Sequence, residues 1–218
     1  MASAFDRIFA DVRKDLPSVV DATLRQELFR VLDDFTQSTN IWQEHIAIQI
    51  VPNVTTYDLT TTEGKPNRLM TVYEEPAPQV WPAPVRTEFP PNAVLWPGGM
   101  AAMRIPGKLT LSRDLKTNAI WRAVVAKRTA EPLSADKYPV IDDWIVDKYA
   151  DTIGRGILAR LLIEPQKPYS NPMLAQVNQR AYLSGRALAR ANDGHANIFN
   201  AQNWRFPQQF ATTRKGWA

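Results

Sequence analysis

The fold is decided by the stretch Thr36-Gln37-Ser38-Thr39-Asn40-Ile41-Trp42-Gln43-Glu44-His45-Ile46-Ala47-Ile48-Gln49-Ile50. Before it, apolar side chains recur every three or four residues, which predicts an amphipathic helix with Asp21 as its N-cap. Ser, Thr and Asn side chains compete for backbone hydrogen bonds, so we expect this helix to fade between residues 36 and 40. In the second half, Ile46, Ile48 and Ile50 alternate with other residues and predict a half-buried strand. The chain therefore changes here from helical to β structure.

Helical spacing also occurs nearer the N-terminus and again after Pro139. Residues 3–16 are predicted to form an amphipathic helix with five apolar side chains on one stripe: Phe5, Ile8, Phe9, Val12 and Leu16. A third helix is predicted from the stripe Ile141, Ile145, Tyr149, Thr152, Ile153 and Ile157. A fourth is predicted to have Asn171 as its N-cap, to end at Asp193-Gly194, and to have the apolar face Leu174, Val177, Ala181, Gly185 and Leu188. Each stripe needs a partner, so residues 1–44 and 138–192 are expected to form a four-helix bundle.

The segment between the helices, residues 45–137, is predicted to be an inserted antiparallel β-rich module. Residues 55–59 are expected to pair with the strand at 46–50, and residues 108–112 with those at 119–128. Another strand is predicted at residues 68–73. Eight of the 17 prolines fall between Pro76 and Pro106, and proline removes ladder donors, so this stretch predicts loop and edge strand. The expected fold class is α+β, with an extended C-terminal tail at residues 193–218.

Composition excludes several kinds of site. The chain has no cysteine, which rules out disulfides, thiolate nucleophiles and cysteine-based metal centres. No apolar run approaches the roughly 20 residues that a membrane-spanning helix needs, and the N-terminus is not expected to act as a secretory signal. The net charge of +4 is uneven, with 5 basic and 8 acidic groups in residues 1–45 and 10 and 6 in residues 138–218. This asymmetry is expected if oppositely charged ends of neighbouring subunits are in contact, and it is also compatible with an accidental distribution of charge.

No catalytic motif is found, and no catalytic residue, metal site or cofactor is predicted. The two histidines, His45 and His195, lack neighbours that would orient a general base. The best carboxylate set is Asp142, Asp143, Asp147 and Asp151. Its oxygens suit Mg²⁺ or Ca²⁺, but acids in early helical turns also complement the helix dipole and form ion pairs. An enzyme using these carboxylates is therefore one alternative, and a solvated or cross-subunit face is the other.

Basic residues on the fourth helix give a second alternative. Arg180, Arg186 and Arg190 could neutralise phosphates without reading sequence, or could contact a neighbouring subunit. A nucleic-acid-binding module using this face predicts duplex affinity that falls steeply with salt. No sequence-reading motif accompanies the arginines.

The tail has the most distinctive composition. Large rings stand among amides, and aromatic residues with arginine are the groups that anchor interfaces. We predict that the tail docks on a partner through Phe199, Trp204, Arg205, Phe206, Phe210 and Trp217. Its 26 residues, from Asp193 to Ala218, would span roughly 85 Å if extended. The alternative is that the tail folds back on its own core.

The whole layout resembles a known family. The residues that carry the resemblance are Thr39-Asn40-Ile41-Trp42, Ile46-Ala47-Ile48-Gln49-Ile50, Thr56-Tyr57-Asp58-Leu59 and Arg68-Leu69-Met70-Thr71-Val72. They look like the helix-to-strand entry of the head-to-tail adaptors of tailed bacteriophages, including the tail tubular protein A type of short-tailed phages. In that family a helical bundle carries a β-rich insertion, and a C-terminal extension reaches the portal. The proline-rich stretch between Pro76 and Pro106 departs from the family pattern.

The resemblance implies a structural protein rather than an enzyme. It implies a homo-oligomeric ring of about twelve copies under the portal, which continues the DNA channel. The partners would be the portal protein, a downstream tail or nozzle protein and genomic double-stranded DNA that passes non-specifically through the lumen. No membrane and no cofactor are implied. The protein would be located in the neck of the virion after assembly in the host cytoplasm.

Overall fold

The computed structural model describes residues 4–74, 93–96, 99–112, 119–131 and 137–196. Across these ranges the chain is α+β, with five helices and two antiparallel sheets. The helices are α1 (Ala4–Asp15), α2 (Asp21–Thr39), α3 (Asp143–Lys148), α4 (Ala150–Leu162) and α5 (Pro172–Ala196). The strands are β1 (Gln43–Ile50), β2 (Thr56–Asp58), β3 (Lys65–Glu74), β4 (Ala93–Trp96), β5 (Gly99–Ile105), β6 (Lys108–Leu111) and β7 (Ala119–Arg128). The α+β class expected from the sequence is confirmed.

Helices from both ends of the chain share one hydrophobic core, and together they are called the helical unit. The predicted stripe of α1 is buried, and so is the α2 stripe that includes Leu28 and Phe35. The helix predicted after Pro139 is divided at Tyr149 into α3 and α4, but its isoleucines are buried as expected. α4 lies at the centre of this unit, because α1, α2, α3 and α5 all contact it.

The N-terminal end of α2 differs from the prediction, whereas its C-terminal end lies within the predicted range. Asp21 is the first helical residue rather than the cap, and its carboxylate forms an ion pair with Arg13 of α1. The helix ends at Thr39, within the expected range of residues 36 to 40, and hydroxyls in its last turn donate to carbonyls four residues back. Thr36 Oγ1 bonds to the Leu32 carbonyl at 2.8 Å and Thr39 Oγ1 to the Phe35 carbonyl at 2.7 Å. These side chains bond within the helix and do not compete with it.

The strands form a second core, and together they are called the β unit. One sheet has the strand order β1-β7-β3 and the other has the order β2-β6-β5-β4. β7 is a central strand, which explains its continuous buried run from Ala123 to Lys127. β4 stands at an edge, in agreement with the proline-rich sequence around it.

Two predicted strand pairings are wrong. β1 pairs with β7, with Ile48 opposite Trp121, and does not pair with β2. β2 pairs with β6 instead, with Tyr57 opposite Leu109. β6 and β7, predicted to form a hairpin, belong to different sheets. Sequence proximity favoured hairpins, whereas the observed partners of β1 and β2 are separated by more than fifty residues of sequence.

The two units meet at Trp42. The ammonium of Lys127 lies 4.3 Å from the centre of the Trp42 ring and 3.0 Å from a carboxylate oxygen of Glu44. Burial acts to raise the pKa of Glu44, but hydrogen bonds from Thr62 and Lys127 outweigh it and leave this pKa below its ordinary value. Gly64 has φ +75°, and a Cβ there would lie 2.7 Å from the Trp42 ring, so the junction requires glycine. The β unit is therefore attached to the helical unit by a tightly packed contact.

Candidate functional site

α5 packs against the helical unit through one side, on which small residues alternate with Asn178 and Tyr182. Ala175, Asn178, Tyr182 and Ala189 are buried on this side. A Cβ added to Gly185 would lie 2.5 Å from Thr152 Oγ1 of α4, so only glycine allows this approach without a shift. The reciprocal contact is made by Gly156 of α4, where a Cβ would lie 2.9 Å from the Tyr182 ring. Small residues thus let two helices approach closely.

A polar cluster fixes the same face to α2. Asp34 Oδ2 accepts a hydrogen bond from the Tyr182 hydroxyl at 2.6 Å and another from Arg186 Nη1 at 2.7 Å. Burial, together with the bond to Asp34, raises the pKa of the Tyr182 hydroxyl far above its ordinary value. The hydroxyl therefore stays protonated and remains a donor. The cluster sets the rotation of α5 about its axis.

Of the apolar face predicted for α5, only Gly185 packs against α4, whereas Leu174, Val177, Ala181 and Leu188 are exposed, which corrects the prediction. The outward residues are Met173, Leu174, Val177 and Leu188, here called the α5 stripe. Met173 is 79% exposed, Leu188 is 62% exposed and Val177 is 57% exposed. At roughly 100° per residue these positions lie on one side of the helix, next to the buried side. A coherent apolar surface is left uncovered by the described part of the chain.

The three arginines on α5 do not act as one set. Arg186 is partly buried and forms an ion pair with Asp34 of α2. Arg180 and Arg190 are exposed, and neither forms an ion pair with another described residue. At roughly 100° per residue Arg180 borders the α5 stripe, whereas Arg190 lies further round the helix. Two separated cations, rather than three adjacent ones, are thus available to a partner.

The tail lies mostly outside the described residues. α5 does not stop at Asp193-Gly194 but continues through Ala196, so the first four residues assigned to the tail are helical. The predicted docking residues Phe199, Trp204, Arg205, Phe206, Phe210 and Trp217 all lie outside the described ranges. What the structure fixes is the helix that leads into them.

The carboxylates of α3 and α4 do not converge. Asp147 forms an ion pair with Arg7 of α1 at 3.4 Å, and Asp151 forms one with Arg155 at 3.5 Å. The helix break at Tyr149 further separates these positions. Over the described ranges, no three His, Asp or Glu side chains are grouped as metal ligands would be. These acids therefore behave as members of surface ion pairs.

An exposed aromatic residue beside the acids is a feature whose importance the sequence did not indicate. Trp144 is 49% exposed, and its Nε1 donates to Asp142 Oδ2 at 3.3 Å. Val140, also 49% exposed, precedes it in the chain. The sequence places Trp144 at the edge of an apolar stripe, and only its acidic neighbours could have suggested an outward position. A second apolar surface, with an acidic border, thus lies on α3.

The histidines lie apart from these surfaces. His45 is exposed on β1, and His195 is in the last turn of α5. Among the helices described, none is long and apolar enough to cross a membrane.

Comparison with known proteins adds no assignment. No protein-family model matches the chain, and no curated protein is significantly similar to it in sequence. The resemblance to phage adaptors therefore stays a prediction.

Proposed function

We propose that the protein is a structural head-to-tail adaptor of a bacteriophage virion. In this proposal about twelve copies form a ring that docks on the portal and continues the DNA channel toward the tail. The observation that carries the proposal is the α5 stripe, an apolar surface on a helix that leads directly into an aromatic, amide-rich segment. Such a surface suits assembly with other proteins.

In this proposal α1, α2, α4 and α5 form a four-helix bundle that builds the wall of the ring. Support comes from their shared core and from the contacts of α4 with each of the other three. The β unit has a core of its own and is attached through Trp42. A separately packed unit on a firm attachment suits contact with a neighbouring subunit or with the next tail component.

The proposed mechanism is mechanical. The segment that follows α5 attaches each subunit to the portal through its aromatic side chains, chiefly Phe199, Trp204, Phe206 and Phe210. A modest contact repeated around a closed ring gives high avidity, so no single site has to be strong. Mixed charge along the lumen lets DNA slide rather than adhere. Engagement of Arg186 by Asp34 agrees with this, because it lowers the positive charge that α5 presents to solvent.

The decisive test removes residues 197–218 and measures attachment to a purified portal by native mass spectrometry. We expect the truncated chain to unfold at the wild-type temperature but to lose portal attachment, because α5 and its buried contacts end before residue 197. A sharper variant replaces the aromatic residues Phe199, Trp204, Phe206 and Phe210 by alanine. The matched control replaces Asn200, Gln202 and Asn203 by alanine. If the variant without these four aromatic side chains attached to the portal as well as the control, their proposed role in docking would be wrong.

A second candidate function is supported by the exposure of Arg180 and Arg190. A nucleic-acid-binding module predicts affinity for free duplex that falls steeply with salt, each phosphate contact adding about −0.9 to the logarithmic slope. Replacing both arginines with glutamate would then abolish duplex binding. The adaptor instead predicts little affinity for free duplex at physiological salt, and a filter-binding titration against salt separates the two.

A further inference from the structure

The α5 stripe needs an apolar cover. Val177 and Leu188 are more than half exposed, and between them along the same side of the helix lie the small side chains of Ala181 and Ser184. Burial of apolar surface contributes roughly 25 cal/mol per Å², so a partner that covers these side chains gains directly from the contact. The covering surface must itself be apolar at its centre.

Charge narrows the choice of partner. Arg180 borders the stripe and is exposed, and Arg190 is exposed on the same helix. Between Pro172 and Asn192 the sequence of α5 contains no acidic residue that would offset Arg180. The matching surface should therefore carry an aromatic or aliphatic centre with acids at its border, because the apolar stripe gives phosphates nothing to bind.

This chain has such a surface. Val140, Asp142, Asp143 and Trp144, here called the α3 patch, are all exposed. Tryptophan is the residue type that most often anchors an interface, and half of this side chain is open to solvent. Asp142 and Asp143 supply an acidic border that complements Arg180.

The two surfaces belong to different sides of the helical unit. α3 packs against α1 and α4, whereas α5 packs against α4 and α2. Contact between two different surfaces on two copies is heterologous, and its repetition gives a closed ring or a filament. We propose that the α3 patch of one copy docks on the α5 stripe of the next. This inference rests on the proposed ring, and it names the contact between subunits.

The test uses the full chain and two variants that each disable one surface. Leu188→Glu places a charge in the α5 stripe, and Trp144→Arg removes the anchor of the α3 patch and offsets one of its two negative charges. Ile105→Glu, at a 62% exposed position in the β unit, is the matched control. The substituted side chains are exposed, so all three variants should unfold at the wild-type temperature. Arg180→Glu is a milder second variant of the stripe that changes charge alone.

Sedimentation analysis over a concentration series measures association. We expect the wild type and Ile105→Glu to associate, and Leu188→Glu and Trp144→Arg each to lose at least about thirtyfold in affinity. An equimolar mixture of these two variants should form a dimer and nothing larger, because each supplies the surface that the other lacks. Arg180→Glu should weaken association less, and its effect should decrease with added salt.

Three outcomes would overturn the inference. A Trp144→Arg chain that dimerises like the wild type would mean that two α5 stripes face each other. A Leu188→Glu chain that associates normally would place the contact elsewhere. A wild type that stays monomeric at every concentration, with residues 197–218 cut by protease only in Leu188→Glu, would place the chain's own tail on the stripe. A chain that associates through these surfaces but does not bind a portal would refute the adaptor function and leave the interface standing.

Discussion

α4 and α5 are consecutive helices that lie side by side, but they bury different kinds of residue. α4 is surrounded, and its large side chains, including Ile153, Ile157 and Leu161, are fully buried. α5 is covered on one side, where it presents Ala175, Gly185 and Ala189, while its larger aliphatic residues face solvent. The difference shows that small residues allow two helices to approach closely. A large apolar residue can instead be buried by the chain's own core or by another molecule.

The test with the largest expected effect makes the same leucine-to-alanine substitution once in each helix. Leu161→Ala in α4 should lower the free energy of unfolding by about 2–5 kcal/mol, because the side chain is fully buried and leaves a cavity. Leu188→Ala in α5 should change it by less than about 0.5 kcal/mol, because most of the side chain is exposed. Urea unfolding at a concentration where the chain is monomeric measures both. Equal losses would mean that the α5 stripe is covered within the monomer.

The helices were largely predictable because each has a strong period, and the amphipathic stripe of α1 is buried as expected. The orientation of α5 was not predictable in the same way. Its larger apolar residues predicted a buried stripe, but the sites chosen for burial were Gly185 and its small neighbours, which carry little hydrophobic signal. A period shows which residues share a face. It does not show whether that face meets the chain's own core or another molecule.

The β unit illustrates a different limit. Strand positions were predictable from alternation, as for Ile48 and Ile50 in β1. Strand partners were not, because the pairing of β1 with β7 joins the two ends of the inserted module. Alternation is a property of one segment, while pairing depends on where distant segments meet. The docking role of the tail residues stays a prediction, because they lie outside the described ranges.

A second test compares two glycines on α4. A Cβ at Gly156 would lie 2.7 Å from Val31 Cγ1 and 2.9 Å from the Tyr182 ring, whereas a Cβ at Gly154 would have no neighbour within 4 Å. Gly156→Ala should therefore cost about 1–3 kcal/mol of unfolding free energy through overpacking. Gly154→Ala should add up to about 1 kcal/mol, because alanine favours the helix. Thermal unfolding of the two variants should shift in opposite directions, and shifts in the same direction would contradict the close approach of α5.

The smallest test concerns the hydroxyl that fixes the rotation of α5. Tyr182→Phe removes a donor to Asp34 but leaves Arg186 on the same oxygen, so the loss at neutral pH should be about 1–2 kcal/mol. Because burial and Asp34 raise the pKa of Tyr182 in the folded state, its contribution is complete below the ordinary tyrosine value of 10.0. The contribution is lost as the pH rises further, since the unfolded state then releases the proton first.

The difference in unfolding free energy between the wild type and Tyr182→Phe should therefore be constant from neutral pH to about pH 9 and should narrow above about pH 10. Tyr138 and Tyr169 also have raised pKa values, through burial first and then through a neighbouring carboxylate, but both proteins retain them. The difference thus isolates Tyr182. A gap that stays constant through the alkaline range would mean that the Tyr182 hydroxyl is open to solvent, and α5 would then be free to rotate and turn its stripe inward.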